Sequence, residues 1–386
     1  MKRKLDQFLG IPLLKALSII PAKQDPGAAP LRKVLLIKLA AAGDTLLLMP
    51  VIGALREALP ACEIHWLVSP ATASLARSVP YVNRVVVMKT DNPASLFHLL
   101  LSVRAEKYDA VLDYEQWART TAILTRMSGA PVRIGFDVPG QHRQQGYTRT
   151  YQKGFGGHEI DDFYSLTEQL CPVGRRKELE FWETEEGKRQ AQSVLQSSDD
   201  RLQVMLHPGC GWDGTPREWS IEQYSNLANW LMVKYGARIF LTGGPEERGK
   251  TAALNRALDG AAIDLAGRMS WHGTGSLLNA MDLVVSGNTG VMHLAAAMRR
   301  PQLALHGPTN PRLWGPINKK AVVIQSKCQE CPCLKLGFEY HRHDSQCMDS
   351  ISLDEVMVQA ENLIETYAMA KASLAIRSRV ETKVAA

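Results

Sequence analysis

Small residues and one carboxylate follow the first long apolar run of the chain. Residues 39–45 read Leu-Ala-Ala-Ala-Gly-Asp-Thr, and small side chains allow a backbone to approach a ligand closely. Asp44 has two interpretations at this point. It is either the N-cap of the helix that follows, which the spacing alone favours, or a general base that takes a proton from a bound hydroxyl group.

A second loop of small residues lies in the C-terminal half of the chain. Residues 286–293 read Ser-Gly-Asn-Thr-Gly-Val-Met-His and lead into an alanine-rich helix. The free N–H groups and the dipole at a helix N-terminus favour an anion, and a pyrophosphate would suit them. The alternative is a tight turn that needs glycine for its backbone conformation.

Two further loops add charged residues. Residues 208–219 contain Cys210 and Arg217, and residues 242–247 read Thr-Gly-Gly-Pro-Glu-Glu. The arginine could neutralise phosphate, and a glutamate could accept hydrogen bonds from ribose hydroxyls. Alternatively, the arginine is a solvated surface charge and the glutamates belong to the first turn of a helix. No G-x-G-x-x-G motif is present, so the dinucleotide fingerprint is missing.

These loops need strands to position them, and the hydrophobic pattern predicts the strands. Apolar runs alternate with helical periodicity and are typical of a doubly wound α/β domain. The pattern breaks between about 137 and 200, where we expect a hinge, and then resumes, so that 386 residues form two domains. The predicted strands are 34–39, 64–68, 84–88, 110–114, 132–136, 203–207, 238–242, 262–265, 283–286 and 303–306.

Taken together, the motifs resemble glycosyltransferase family 9, the ADP-heptose:lipopolysaccharide heptosyltransferases, across about residues 33–364. The resemblance rests on residues 33–37 with Gly43, Asp44 and Pro50, and on residues 217–219, 243–245, 288–293 and 307–311. It implies a GT-B fold, in which two Rossmann-like doubly wound domains face a central cleft. We expect an arm at 1–32, an acceptor-binding domain at 33–185, a nucleotide-sugar-binding domain at 200–350, and a C-terminal helix and tail at 351–386.

The resemblance also implies site residues and a mechanism. Asp44 matches the proposed catalytic base, which reverses the preference for a cap and implies inversion at the anomeric carbon. No metal or other cofactor is needed if the protein itself neutralises the diphosphate. Arg217 replaces the usual lysine. The residues expected to bind the ADP-sugar donor are Cys210, Arg217, Glu247 or its neighbour Glu246, Met269, Asn288, Thr289, Gly290 and His293.

Asn288 departs from the family, which commonly has aspartate at this position. The amide keeps the hydrogen bonding but removes a charge. This leaves three hypotheses: a heptosyltransferase, a transferase with a different nucleotide-sugar donor, and a nucleotide-sugar-binding protein without turnover. The presence of Asp44 and Arg217 favours an enzyme.

The acceptor is predicted from basic residues between 114 and 150. Arg119 and Arg143 are the candidate contacts, in a segment that also contains Arg126, Arg133 and Arg149. Such a segment suits an anionic acceptor, for which the resemblance implies lipopolysaccharide core or a related glycolipid.

The net charge of +6 is concentrated near the N-terminus, where the first 33 residues hold seven basic and two acidic side chains. A nearly neutral remainder argues against a nucleic-acid partner and favours a basic arm at an anionic surface, namely the inner membrane. The apolar run at 8–20 is too short to span a bilayer and contains Pro12 and Lys15. It is either an interfacial anchor or a helix packed on the protein's own surface, and we expect a cytoplasmic enzyme, peripheral on the inner membrane.

Seven cysteines in a chain of this length do not form a disulfide scaffold, and they indicate a reducing compartment. Four of them are clustered: Cys328, Cys331, Cys333 and Cys347, with His341 and His343 between the last two. This spacing resembles that of metal ligands. The two hypotheses are a structural zinc site and reduced thiols in a C-terminal loop. The second is favoured, because the family that the chain resembles is not a metal-dependent class.

Overall fold

The computed structural model describes residues 2–21, 23–27, 30–89, 93–154, 156–175, 178–195, 200–211, 215–335, 339–340 and 347–369. The chain divides into two compact units, Met1–Glu180 and Phe181–Ala386. The division lies within the stretch where the sequence predicts a hinge. His341 and His343 lie outside the described residues. Within the described part, no helix has both the length and the apolar character to cross a bilayer.

The first unit contains one parallel sheet with the strand order β3-β2-β1-β4-β5-β6. Its strands are β1 Lys33–Ile37, β2 Glu63–Val68, β3 Arg84–Val87, β4 Ala110–Asp113, β5 Val132–Asp137 and β6 Arg149–Gln152. Its helices are α1 Lys2–Ile19, α2 Ala42–Ala58, α3 Ala73–Arg77, α4 Pro93–Ala105, α5 Arg119–Met127 and α6 Glu159–Glu168. A 3₁₀ turn spans Arg143–Gly146.

The centre of this sheet is buried on both faces, as expected for a parallel sheet covered by helices. In β1, Val34, Leu35 and Ile37 are inaccessible to solvent. Val34 pairs with Ile64 of β2 on one side and with Ala110 of β4 on the other. The strand order therefore changes direction at β1 and β4, whose carboxyl ends form the place where open α/β sheets bind ligands.

The second unit has a sheet of the same type, with the strand order β12-β11-β10-β7-β8-β9. Its strands are β7 Gln203–His207, β8 Arg238–Leu241, β9 Ile263–Asp264, β10 Leu283–Gly287, β11 Gln302–His306 and β12 Ala321–Gln325, and a hairpin adds β13 Leu334–Lys335 and β14 Glu339–Tyr340. Its helices are α7 Glu185–Gln192, α8 Ile221–Tyr235, α9 Arg248–Ala257, α10 Trp271–Leu278, α11 Gly290–Ala297, α12 Pro311–Trp314 and α13 Leu353–Leu363. Two 3₁₀ turns span Thr215–Arg217 and Pro245–Glu247, and a π-helix spans Ile364–Met369.

The predicted fold class, two doubly wound α/β units, is confirmed, and each of the ten predicted strands overlaps an observed one. Four strands of the described part were not predicted: β6 and β12, each at one edge of its six-stranded sheet, and the short strands β13 and β14. The residues of β6 and β12 are mostly half-buried or exposed. An edge strand does not need a continuous apolar run, and β6 reads Arg-Thr-Tyr-Gln, which contains none. β12 does contain such a run, at 321–324, so its sequence carried a signal that was overlooked.

The N-terminal arm folds against the first unit. In α1, Leu14 is fully buried, and the Asp6 carboxylate accepts hydrogen bonds from the backbone N–H groups of Arg119 and Thr120 at 3.1 and 3.0 Å. Asp6 thereby satisfies two unpaired donors at the start of α5. The face of α1 that bears Leu14 thus packs on the protein's own surface, as one of the two alternatives for residues 8–20 predicts, while Phe8 and Ile19 stay exposed.

Candidate functional site

Asp44 lies in the first turn of α2, where Ala41 occupies the N-cap position. The interpretation of Asp44 as the cap is therefore wrong. Its carboxylate instead forms an ion pair with Lys38, with Asp44 Oδ2 and Lys38 Nζ 2.8 Å apart. Lys38 directly follows β1, so the pair spans the small-residue loop at the carboxyl end of that strand.

Lys38 is almost completely buried and lies between two carboxylates. Glu115, which follows β4, is buried, and its Oε1 lies 3.8 Å from Lys38 Nζ. The same oxygen accepts hydrogen bonds from the backbone N–H groups of Leu39 and Ala40. Burial alone lowers the pKa of Lys38, but the charges of Asp44 and Glu115 outweigh it and hold this pKa above the usual value. Lys38 is therefore a fixed ammonium group that orients both carboxylates.

A second buried ammonium group lies in the same unit. Lys153 Nζ contacts Glu159 at 2.7 Å and Asp162 at 2.8 Å. Burial raises the pKa of Glu159, against the opposing effect of Lys153, and the charge of Asp44 raises it further. Glu159 therefore interacts electrostatically with Asp44 as well as with Lys153.

These groups form what we call the acidic cluster, which consists of Asp44, Glu115, Glu159 and Asp162 with Lys38 and Lys153. Glu115, Glu159 and Asp162 are buried, whereas Asp44 keeps 24% of its side chain exposed. A bound hydroxyl group can therefore reach Asp44 but not the other three carboxylates. This arrangement suits a general base whose position is held from behind by a permanent positive charge.

The sequence analysis did not identify Lys38, Glu115, Lys153 or Glu159. A signal for two of them was available, because Lys38 lies at the carboxyl end of one predicted strand, 34–39, and Glu115 immediately follows another, 110–114. Their strands are neighbours at the point where the strand order reverses, and such loops converge on one site.

The predicted acceptor contacts Arg119 and Arg143 are not supported, because both are buried and hydrogen-bonded within the protein. Arg143 contacts Asp113 Oδ2 at 2.7 Å and also donates to the carbonyl groups of Glu115 and Ala118. Arg119 donates to Gln141 O at 3.1 Å and faces Asp6 of the arm. Their positive charges stabilise the first unit internally.

Other basic residues of this segment also hold the arm. Arg126 donates to the carbonyl of Leu17 at 2.9 Å, and Arg149 pairs with Asp25. Arg119, Arg126 and Arg149, three of the arginines that suggested an anionic acceptor, thus bind the N-terminal arm of the same chain.

In the second unit, Glu247 links the loops that follow β7 and β8. One carboxylate oxygen accepts from Gly211 N at 2.9 Å, and the other accepts from Gly244 N at 2.7 Å. Gly209 permits this approach, because a Cβ at its position would lie 1.9 Å from Glu247 Oε1. Glu246, which directly precedes Glu247, is exposed. Of the two glutamates that are candidates for the ribose contact, Glu247 is therefore the buried one.

Cys210 and Arg217 lie next to this link. Arg217 Nη2 donates to Cys210 O at 3.0 Å, and Arg217 Nε is buried without a hydrogen-bond partner in the part of the chain that the structure describes. Burial raises the pKa of Cys210 to about 12, so its thiol is neutral and not nucleophilic. Arg217 thus retains an N–H group that could donate a hydrogen bond to a ligand.

The loop that follows β10 leads into α11, as the sequence predicts. Thr289 is the N-cap residue and Gly290 the first residue of the helix. Thr289 Oγ1 is buried and has no hydrogen-bond partner among the described residues. His293 is buried one turn further along. The start of α11 therefore presents backbone N–H groups and a hydroxyl group, which are donors suited to an anion.

Asn288 has a partner within the protein. Its Nδ2 donates to the Trp314 carbonyl at the end of α12, at 3.4 Å. A carboxylate cannot donate this bond, so the amide has a structural role that an aspartate would not fill. Met269 is half-buried in the loop between β9 and α10.

Comparison with known proteins gives a consistent result. The model of glycosyltransferase family 9 (heptosyltransferase) matches residues 96–341. Lipopolysaccharide heptosyltransferase 3 of Escherichia coli is 28% identical over 302 residues, which are 71% of this chain and 83% of that protein.

Two solved structures resemble the chain over most of its length. The glycosyl transferase family 9 protein from Veillonella parvula has a TM-score of 0.73 at 20% identity, covering 87% of this chain and 97% of that one. The E. coli ADP-heptose lps heptosyltransferase II has a TM-score of 0.68 at 21% identity, with coverage of 86% and 99%.

Proposed function

This chain belongs to glycosyltransferase family 9, the heptosyltransferase family, and we propose that it transfers a heptose from an ADP-sugar to lipopolysaccharide core or a related glycolipid, with inversion. The observation that carries this proposal is Asp44, the accessible carboxylate of the acidic cluster, held at 2.8 Å by the buried Lys38. The names of the similar proteins suggest the donor and the acceptor class, since they include ADP-heptose and lipopolysaccharide.

In the proposed reaction, Asp44 removes the proton from an acceptor hydroxyl group. The oxygen attacks the anomeric carbon of the bound donor, and the bond from that carbon to the diphosphate oxygen breaks. Attack opposite the leaving group inverts the configuration. Lys38 stays protonated throughout and keeps the carboxylate in position, while the proton remains on Asp44 until solvent takes it.

The donor's diphosphate requires positive charge or N–H donors as it leaves. We assign this role to Arg217 and to the start of α11 with Thr289, and the contact with the ribose hydroxyls to Glu247. These protein groups make the proposed reaction independent of metal. The hydrogen bond from Asn288 to the Trp314 carbonyl supports a structural reason for the amide. The replacement of aspartate by Asn288 is therefore compatible with an ADP-sugar donor.

Turnover of nucleotide sugars tests the proposal directly. Purified protein is incubated with glycolipid acceptor and with ADP-, UDP-, GDP- and CDP-sugars, and release of each nucleoside diphosphate is measured. We expect acceptor-dependent release of ADP. Preference for another nucleotide would contradict the proposed donor, and binding without turnover would favour a binding protein over an enzyme.

Glu247→Gln is expected to weaken donor binding by about tenfold or more. The amide replaces one carboxylate oxygen with an NH₂ group, which must face the N–H of Gly211 or of Gly244, so one hydrogen bond is lost. Hydrogen bonds to charged groups contribute about 1.5–3 kcal/mol each. Calorimetric titration with the ADP-sugar measures the change. Glu246→Gln is the matched control, because the neighbouring carboxylate is exposed. Equal affinities of the two variants would contradict the assignment of Glu247.

The outer face of α1 supports a membrane-associated enzyme. Positions 8, 9, 12, 13, 16 and 19 share one face at the helical period, and each of them is apolar and exposed. Phe8 and Ile19 are 76% and 84% exposed. The same segment begins with Lys2, Arg3 and Lys4. An apolar face next to basic residues is typical of a helix that lies in the surface of an anionic bilayer. We therefore propose a cytoplasmic protein, peripheral on the inner face of the inner membrane.

The double substitution Phe8→Ser/Ile19→Ser is expected to weaken binding to anionic lipid vesicles by about tenfold or more, because each large apolar side chain gains about 1.5–3 kcal/mol on full burial. Co-sedimentation with phosphatidylglycerol-containing vesicles measures the partition coefficient. Val233→Ser/Val358→Ser removes two exposed apolar residues of the second unit and is the matched control. If both double variants bind as the unaltered protein does, α1 is not the membrane contact.

A further inference from the structure

Four cysteine side chains meet in the second unit, outside the loops assigned to the donor. The Sγ atoms of Cys328, Cys331 and Cys347 all lie within 4.8 Å of one another. Cys333 Sγ lies 3.8 Å from Cys347 Sγ. The remaining three cysteines, Cys62, Cys171 and Cys210, are far away in sequence. We call this group the thiol cluster; it consists of Cys328, Cys331, Cys333 and Cys347.

The backbone brings these sulfurs together in two segments. In the first, Cys331 N donates to Cys328 O at 3.1 Å, so the C-x₂-C pair forms a tight turn. In the second, Ser350 Oγ accepts from Lys327 N at 3.2 Å and donates to Cys347 O at 3.0 Å. Ser350 therefore connects the two segments next to the sulfurs.

Three sulfurs, those of Cys328, Cys331 and Cys347, lie close enough to share one metal ion, and Cys333 adjoins them through Cys347. Four thiolates at about 2.3 Å from one zinc ion stand about 3.8 Å from one another. Cys333 Sγ and Cys347 Sγ have this separation, whereas Cys331 Sγ and Cys347 Sγ must move apart once their disulfide is reduced. Cys333 and Cys347 are buried, and Cys328 and Cys331 are half-buried, as in a closed structural site. We propose that the thiol cluster binds one divalent transition-metal ion through four thiolates, with zinc or iron as the ions that this ligand set selects.

The structure contains a disulfide between Cys331 and Cys347, so the proposed site belongs to the reduced chain. A dithiol reductant supplies the two electrons and two protons that convert the disulfide to two thiols, and is itself oxidised to a disulfide. Binding of the metal ion then releases the four thiol protons. A disulfide accounts for Cys331 and Cys347, whereas a metal ion also accounts for Cys328, which lies within 4.8 Å of both, and for Cys333, which lies 3.8 Å from Cys347.

Such an ion would stabilise the loop that follows β11. Cys333 N and Leu334 N both donate to Pro308 O at 2.9 Å. Met348, next to Cys347, packs so closely on Gly307 that a Cβ there would lie 2.3 Å from its sulfur. This loop neighbours the one that follows β10 and contains Asn288. The ion would therefore hold the structure beside the donor loops without contacting substrate.

Metal analysis of the full chain tests the proposal without an activity assay. The protein is purified with a dithiol reductant and without chelator, and zinc and iron are measured by mass spectrometry. We expect about one ion in total per chain, with either metal supporting the site. Cys347→Ser and Cys333→Ser are expected to lose it, whereas the matched control Cys171→Ser in the first unit retains it. Cobalt added to the apo protein should give the absorption bands of a tetrahedral thiolate complex, a readout that needs no variant.

Three outcomes would overturn the site. They are a reduced protein without stoichiometric metal, retention of the metal by both cluster variants, and a cobalt spectrum without thiolate ligation. A thiol titration of the denatured protein, without reductant, adds a separate check. All seven cysteines should react once the metal is chelated, and two fewer would assign the cluster to the disulfide instead.

Discussion

Asp44→Asn is expected to lower kcat by about a thousandfold and to leave donor affinity unchanged. General bases contribute about 10²–10⁴ to rate, and an asparagine amide cannot take the proton. The substitution keeps the shape of the side chain, and the carbonyl oxygen of asparagine can still accept a hydrogen bond from Lys38. The donor loops belong to the other unit, so calorimetric binding of the ADP-sugar should be preserved. Steady-state release of ADP with glycolipid acceptor measures kcat.

Asp161→Asn is the matched control for this experiment. It makes the same chemical change on α6, at a carboxylate whose side chain is 55% exposed and pairs with Arg175 on the surface. Its kcat should equal that of the unaltered enzyme. Full turnover by Asp44→Asn would contradict the assignment of Asp44 as the base. Loss of donor binding in that variant would show that the substitution acts on folding or binding rather than on proton transfer.

Arg143→Met is expected to lower the free energy of unfolding by about 3–5 kcal/mol, because it leaves a buried carboxylate without its cation. Asp113 and Arg143 are both fully buried, and Asp113 also accepts from Tyr147 at 2.8 Å. Burial lowers the pKa of Arg143, but the neighbouring negative charges of Asp113 and Glu115 outweigh it and raise this pKa above the usual value. Denaturant unfolding monitored by circular dichroism measures the loss.

Two further variants separate the structural role from acceptor binding. Asp113→Asn combined with Arg143→Met removes both charges and should recover part of the stability, since replacing both partners costs less than removing one. Arg175→Met removes an exposed cation that pairs with Glu168 and should cost less than about 1 kcal/mol. If Arg143→Met keeps its stability and instead raises the KM for the acceptor, the predicted acceptor contact is correct after all.

The strands of the two sheets were easier to predict from the sequence than the side chains of the site. The central strands were predictable because burial on both faces requires a continuous apolar run, which is a local property of the sequence. The edge strand β6, Arg-Thr-Tyr-Gln, lacks such a run and was missed, whereas the edge strand β12 contains one at 321–324 and was missed despite it. Two loops were predictable in the same way: the one that contains Asp44 and leads into α2, and the one that leads into α11. In both, a helix N-terminus follows small residues, and this pattern is a local property of the sequence.

The partners of Asp44 were not predictable from such signatures. Lys38 is near in sequence, but Glu115 and Glu159 reach the acidic cluster only because β1 pairs with β4 and α6 packs against α2. The arginines between 119 and 149 show the opposite error. Local composition identifies a basic segment, but only the fold shows that this segment binds the N-terminal arm.

The sequence by itself determined the α/β class, the family and the candidate base, because each depends on residue types and short spacings along the chain. Only the tertiary structure decided which charges are buried, which carboxylate a substrate can reach, and which cysteines lie together. Burial and proximity depend on the strand order and on helix packing, which bring together residues that are distant in the sequence. For that reason Arg143 changed from a predicted ligand contact to a core ion pair, while Asp44 remained the accessible member of its cluster.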